Sequence, residues 1–156
     1  MIKVIFLLFV SVLSLNVSAE QYVYESLGQP SISIDMKNKI FMIDDAEGRL
    51  KSCEINGLEL CFKIGKAFIA IPDDHKTPLK INLPGGAELV FLPIVKSISV
   101  LGKKIEGFEV DIHNSKGRDL DSSLFFNSEH GVLMFVFDGN VYWSSSVKGL
   151  ASKVNN

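Results

Sequence analysis

Apolar and polar positions alternate along most of the chain with the period of a strand. Ser31-Ile32-Ser33-Ile34-Asp35 alternates at period two, and Lys39-Ile40-Phe41-Met42-Ile43 is a compact apolar run before the turn Asp44 to Gly48. Leu50 to Ile55 and Leu58 to Ile64 flank Asn56-Gly57, a pair suited to a type I′ hairpin turn. In the second of these runs Leu58, Leu60, Phe62 and Ile64 share one face, which predicts a strand buried on one side. Ala67 to Ile71 ends at Pro72, Leu79 to Leu83 ends at Pro84-Gly85-Gly86, and Glu88 to Val95 contains Pro93, the mark of an edge strand or a bulge. Ser97 to Leu101 and Ile105 to Ile112 pair across Gly102-Lys103-Lys104.

Val132 to Phe137 is apolar on both faces, which predicts a strand covered on both sides. A three-residue turn at Asp138-Gly139-Asn140 would set Phe135 opposite Trp143 and Tyr142 on the other face, a contact surface if no second sheet covers it. Lys148 to Asn156 reads as a polar tail with room for one helical turn. No stretch sustains the 3.6-residue period of a surface helix. The pattern predicts an all-β fold, an antiparallel β-sandwich or small closed barrel of about ten short strands. Most runs are shorter than the roughly 9 to 11 residues of a membrane-spanning strand and Val132 to Phe137 does not alternate, so no stable membrane insertion is expected.

The N-terminal segment sets the compartment. Lys3 precedes the apolar stretch Val4 to Leu15, and Val17-Ser18-Ala19 has the small residues of a cleavage site, so residues 1–19 read as a signal peptide. Residues 20–156 then form a single β-rich domain, exported to the periplasm or secreted. A formal charge of −2 with scattered basic residues gives no footprint for nucleic acid.

Cys53 and Cys61 are the only cysteines and are expected to bridge in an exported chain. A strict two-residue loop at Asn56-Gly57 would set them on opposite faces. The bridge therefore requires a three- or five-residue connection, or a bulge.

No motif assigns an activity. His75, His113 and His130 lack ligand spacing, no G-x-S-x-G elbow is present, and the acidic pairs read as turn formers, so no metal, cofactor or catalytic residue is assigned. The longest polar stretch, His113 to Ser123, and the loop Asp73 to Pro78 offer the densest polar chemistry outside the strands. The expected function is a soluble binding module that occludes or inhibits a protein partner through His113, Lys116, Arg118, Asp119, Asp121, Asp73, Asp74 and His75. The alternatives are a small exported hydrolase with a loop-borne His or carboxylate site, and an envelope component that assembles through open strand edges.

Overall fold

A computed structural model describes residues 21–113 and 120–151. Every regular element among them is a strand, fourteen in all, and every pairing is antiparallel. The N-terminal meander comprises β1 (Gln21–Glu25), β2 (Ile32–Asp35), β3 (Ile40–Ile43) and β4 (Ala46–Arg49). Three further strands, β5 (Lys51–Ser52), β6 (Leu58–Ile64) and β7 (Ala67–Pro72), make a small separate sheet. The rest of the chain supplies β8 (Leu79–Asn82), β9 (Glu88–Phe91), β10 (Lys96–Val100), β11 (Lys103–His113), β12 (Leu120–Asn127), β13 (Gly131–Phe137) and β14 (Asn140–Ser144).

The large sheet runs β4-β3-β2-β1-β14-β13-β12-β11-β9-β8, with β10 also on β11. Pairing of β1 with β14 joins the first and last strands and welds the two meanders into one surface. β4 and β8 end that path without meeting, so the sheet is open. The closed-barrel expectation is thereby corrected. A barrel needs its end strands to pair, and here the chain uses residues 50–72 to build an inner layer instead.

That inner layer accounts for the core. Phe68, Ile69, Ala70 and Ile71 are consecutive and all buried, so β7 has protein on both faces. Its side chains join one apolar cluster with Tyr24, Ile32 and Ile34 of the N-terminal meander and with Phe91, Ile112, Leu124 and Phe135 of the other. The large sheet therefore lays its inner face against the small one.

The Cys53–Cys61 disulfide staples the small sheet, with a Cα separation of 5.2 Å. Leu58 N–H donates to the Ile55 carbonyl at 3.3 Å, closing a tight turn at Asn56-Gly57. Only Gly57 has positive φ there, at 89°, so the turn is not the type I′ form that the dipeptide suggests. The β5–β6 register pairs Lys51 with Lys63 and Ser52 with Phe62 and continues to Cys53 opposite Cys61, with Cys53 N–H on the Cys61 carbonyl at 3.1 Å. Carried on toward the turn, that register sets Ile55 opposite Glu59, so of the geometries that permit the bridge the three-residue connection, residues 56–58, is the one present.

Two other expectations are corrected. The turn after β13 has two central residues, Asp138 (φ 50°) and Gly139 (φ 75°), so Phe137 pairs with Asn140, Phe135 with Tyr142 and Met134 with Trp143. Tyr142 consequently points inward and is buried, while Trp143 takes the outer face. The tail forms no helical turn over its described part. Gly149 and Leu150 hydrogen-bond to His130 and Val132 instead, and a Cβ at Gly149 would collide with the Val132 carbonyl.

β9 and β10 lie along the same strand, β11, separated by the irregular segment Leu92-Pro93-Ile94-Val95. Pro93 lacks a ladder donor, and the strand expected over residues 88–95 stops at Phe91. Beyond this break the β10–β11 hairpin packs on the outer face of the large sheet. Ile98, Val100 and Ile105 meet Phe125, Leu133 and Met134 in a second, smaller apolar cluster. Gly107 permits the crossing, since a Cβ there would strike the Phe126 carbonyl and the Phe125 ring. The expectation that β13 is covered on both faces is met by this hairpin outside and the main core inside, with Val132, Leu133 and Phe135 all buried.

Candidate functional site

The polar positions that the sequence nominates fall into two separate places. In the loop after β7, the Asp74 carboxylate accepts from Lys76 N–H at 2.8 Å and from the Thr77 hydroxyl at 2.5 Å. These bonds, the Thr77 one foremost, hold its carboxyl below the usual range. His75 turns its ring onto Phe126 and Phe108, at centroid distances of 4.9 and 5.8 Å, and its Nε2–H donates to the Pro72 carbonyl at 2.9 Å. The ring thus caps an aromatic cluster that includes Phe91. Asp73 is exposed, and its backbone N–H binds the Gly57 carbonyl at 3.1 Å, tying this loop to the disulfide hairpin.

His113 belongs to β11, where it pairs with Glu88 on one side and Leu120 on the other. β12 begins at Leu120, so the described ends of the expected loop, His113 and residues 120–123, are strand, and Ser122 and Ser123 are buried in ladder positions opposite Ile112 and Asp111. Asp121 lies within β12, and Lys116, Arg118 and Asp119 lie outside the described residues. His75 packs at the Phe108–Phe126 pair, five residues along β11 from His113, a separation of about 17 Å at about 3.4 Å per residue. The two places are therefore separate positions along β11. Among the described residues no three His, Cys, Asp or Glu side chains gather as metal ligands would.

A different site stands out on the outer face. The tip of the β10–β11 hairpin, the end of β14 and the end of β1 enclose an open groove of about 450 Å³. Leu27, Leu101 and Trp143 supply its apolar lining, and Ser99, Ser144 and Glu25 its polar rim. Leu27 is fully exposed, Leu101 is 68% exposed and Trp143 40%. Large apolar side chains in such positions cost solvation unless something covers them.

Each wall follows from a local feature. The two-residue turn at Asp138-Gly139 puts Trp143 outside. Leu101 (φ 49°) and Gly102 (φ 76°) form the matching turn at the hairpin tip and project Leu101. A second hollow of about 70 Å³ lies at the other end of β10, between Leu92, Ile94, Lys96, Glu109 and Asp111. There Lys96 is ion-paired with Glu109, which raises the Lys96 pKa, while burial and then the Glu109 charge push the Asp111 carboxyl up.

The fold and groove define a class: an open, two-sheet, all-antiparallel protein stapled by one disulfide, with an aromatic-lined groove on its outer face. Comparison with protein-family models, with curated proteins and with solved structures finds no match to this chain. Among the described residues no helix is long and apolar enough to cross a membrane. The disulfide fits an oxidising environment.

Proposed function

We propose that the protein is an exported binding module that acts by occluding a protein partner, and that the Trp143 groove is its contact surface. The observation that carries this reading is the exposure of Trp143, Leu101 and Leu27 around one open groove. Aromatic side chains, tryptophan foremost, are frequent anchors of protein interfaces. The groove holds a single carboxylate, Glu25, and serine hydroxyls, a lining suited to holding an apolar side chain rather than to acid–base chemistry. Occlusion needs no more than a rigid surface, and a disulfide-stapled inner layer beneath a broad sheet provides one.

The test is capture of a partner from envelope and secreted-protein extracts by three forms: the unaltered protein, Trp143→Ser, and a form with residues 114–119 replaced by a Gly-Ser linker. The expected result is one stoichiometric protein, its own activity blocked, that is lost with Trp143→Ser and kept with the linker form. Loss with the linker form alone would return the contact to the polar segment between β11 and β12 and sink the groove reading. Failure to capture any protein in repeated trials would sink the occlusion reading itself.

A further inference from the structure

Most of the large apolar side chains that remain exposed among the described residues lie around one strand, β10. Leu92, Ile94 and Val95 immediately precede it. Leu101 follows it, Leu27 and Trp143 share the groove with it, and Val141 stands two residues from Trp143 on the same face of β14. β10 is itself an open edge, paired only with β11. Its single charge, Lys96, is already bound to Glu109. The end strand β4 is guarded differently, by Glu47 and Arg49. Open edges without such charges pair with other strands.

Hairpin geometry fixes which backbone groups of β10 are available. A two-residue turn with both φ values positive closes on a hydrogen-bonded pair, here Val100 with Lys103. Alternation along the ladder makes Ile98 and Ile105 the next such pair, so the N–H and C=O groups of Ser97 and Ser99 point outward.

We propose that a second copy of this chain covers the edge, with β10 pairing antiparallel to β10 of the second copy about a two-fold axis at Ile98. Resting on the reading of the groove as a contact surface, this names one occupant of it. Ser97 then bonds to Ser99 of the second copy, and the same register sets Val95 opposite Leu101. The apolar segment before β10 in each copy thereby meets the apolar groove after β10 in the other, so two clusters at opposite ends of one strand become a single buried seam. An isologous contact matches both pairs of clusters at once. The dimer and a heterologous partner compete for the groove.

Sedimentation velocity of the purified, disulfide-intact protein at rising concentration tests the proposal. The expected result is a twofold rise in mass, abolished by Ser99→Pro, which removes an outward N–H and leaves the β11 ladder intact. Ser97→Lys, an exposed substitution that tests the same edge if the proline form fails to fold, is expected to do the same. The register predicts that Ser97→Cys mixed with Ser99→Cys oxidises to a crosslinked dimer, and that neither form alone does so efficiently. A protein that stays monomeric throughout, a dimer that survives both edge variants, or one that fails to crosslink in the mixture overturns the proposal. A monomer that still captures its partner through Trp143 overturns the self-pairing alone and leaves the groove as the contact surface.

Discussion

The Tyr24 phenol holds three distant parts of the chain. Its hydroxyl donates to the Val132 carbonyl at 2.8 Å and accepts from Leu150 N–H at 2.8 Å, in the fully buried core. Tyr24→Phe would leave a buried donor and a buried acceptor short of a partner, at a cost of about 1 to 3 kcal/mol, readable by chemical denaturation. Burial pushes the Tyr24 pKa above its ordinary value of 10.0. The folded state then holds this proton more tightly than the unfolded chain, so the contribution is whole below about pH 10 and is lost as pH rises past it. The stability gap between the protein and Tyr24→Phe is expected to narrow through that alkaline range. A constant gap would contradict the account. Gly149→Ala, which drives a methyl into the Val132 carbonyl, is expected to cost about 1 to 3 kcal/mol by the same assay.

Elements show where the sequence carried information and where it did not. Strand periodicity placed β2, β6, β11 and β13 because one face of each meets a core, and the doubly apolar run at Val132 to Phe137 announced cover on both sides. Register was not legible in the same way. Asp138-Gly139-Asn140 suits a loop of two residues or three, and that one-residue choice exchanges Tyr142 and Trp143 between faces. Ser122 and Ser123 are polar by type yet buried by position, since neighbouring strands decide their surroundings.

The bridge between Cys53 and Cys61 was legible as a constraint, because parity demanded an odd connection or a bulge. Its loss in Cys53→Ser with Cys61→Ser is expected to cost about 2 to 3 kcal/mol of stability, measured in denaturant, through release of a short loop in the unfolded chain. In the β10–β11 hairpin, Gly107→Val is expected to lift the hairpin off the outer face. The readout is faster hydrogen exchange over residues 96–107 with the inner layer's protection kept, and loss of protection throughout the protein would show that the hairpin is not a separable layer.

At the scale of the whole molecule, the groove exists only because three things coincide. β1 pairs with β14, the hairpin folds back over β12 and β13, and its tip arrives beside Trp143. None of these is local in sequence, so residue type draws attention to the polar loops, where Asp74 closes a turn and the His75 ring caps Phe108 and Phe126. Trp143 is the only tryptophan, so its fluorescence reports on the groove without interference. Occupation by an apolar side chain is expected to shift its emission to shorter wavelength, and an unchanged spectrum at saturating partner would place the contact elsewhere.

Hydrogen-exchange mass spectrometry of the protein, free and with its captured partner, at a concentration where the free protein is monomeric, tests the central claim most directly. The account predicts added protection over residues 25–27, 97–101 and 141–145, with the loop at 73–78 unchanged. Protection confined to residues 73–78 and 113–123, with the groove exchanging as before, would contradict it.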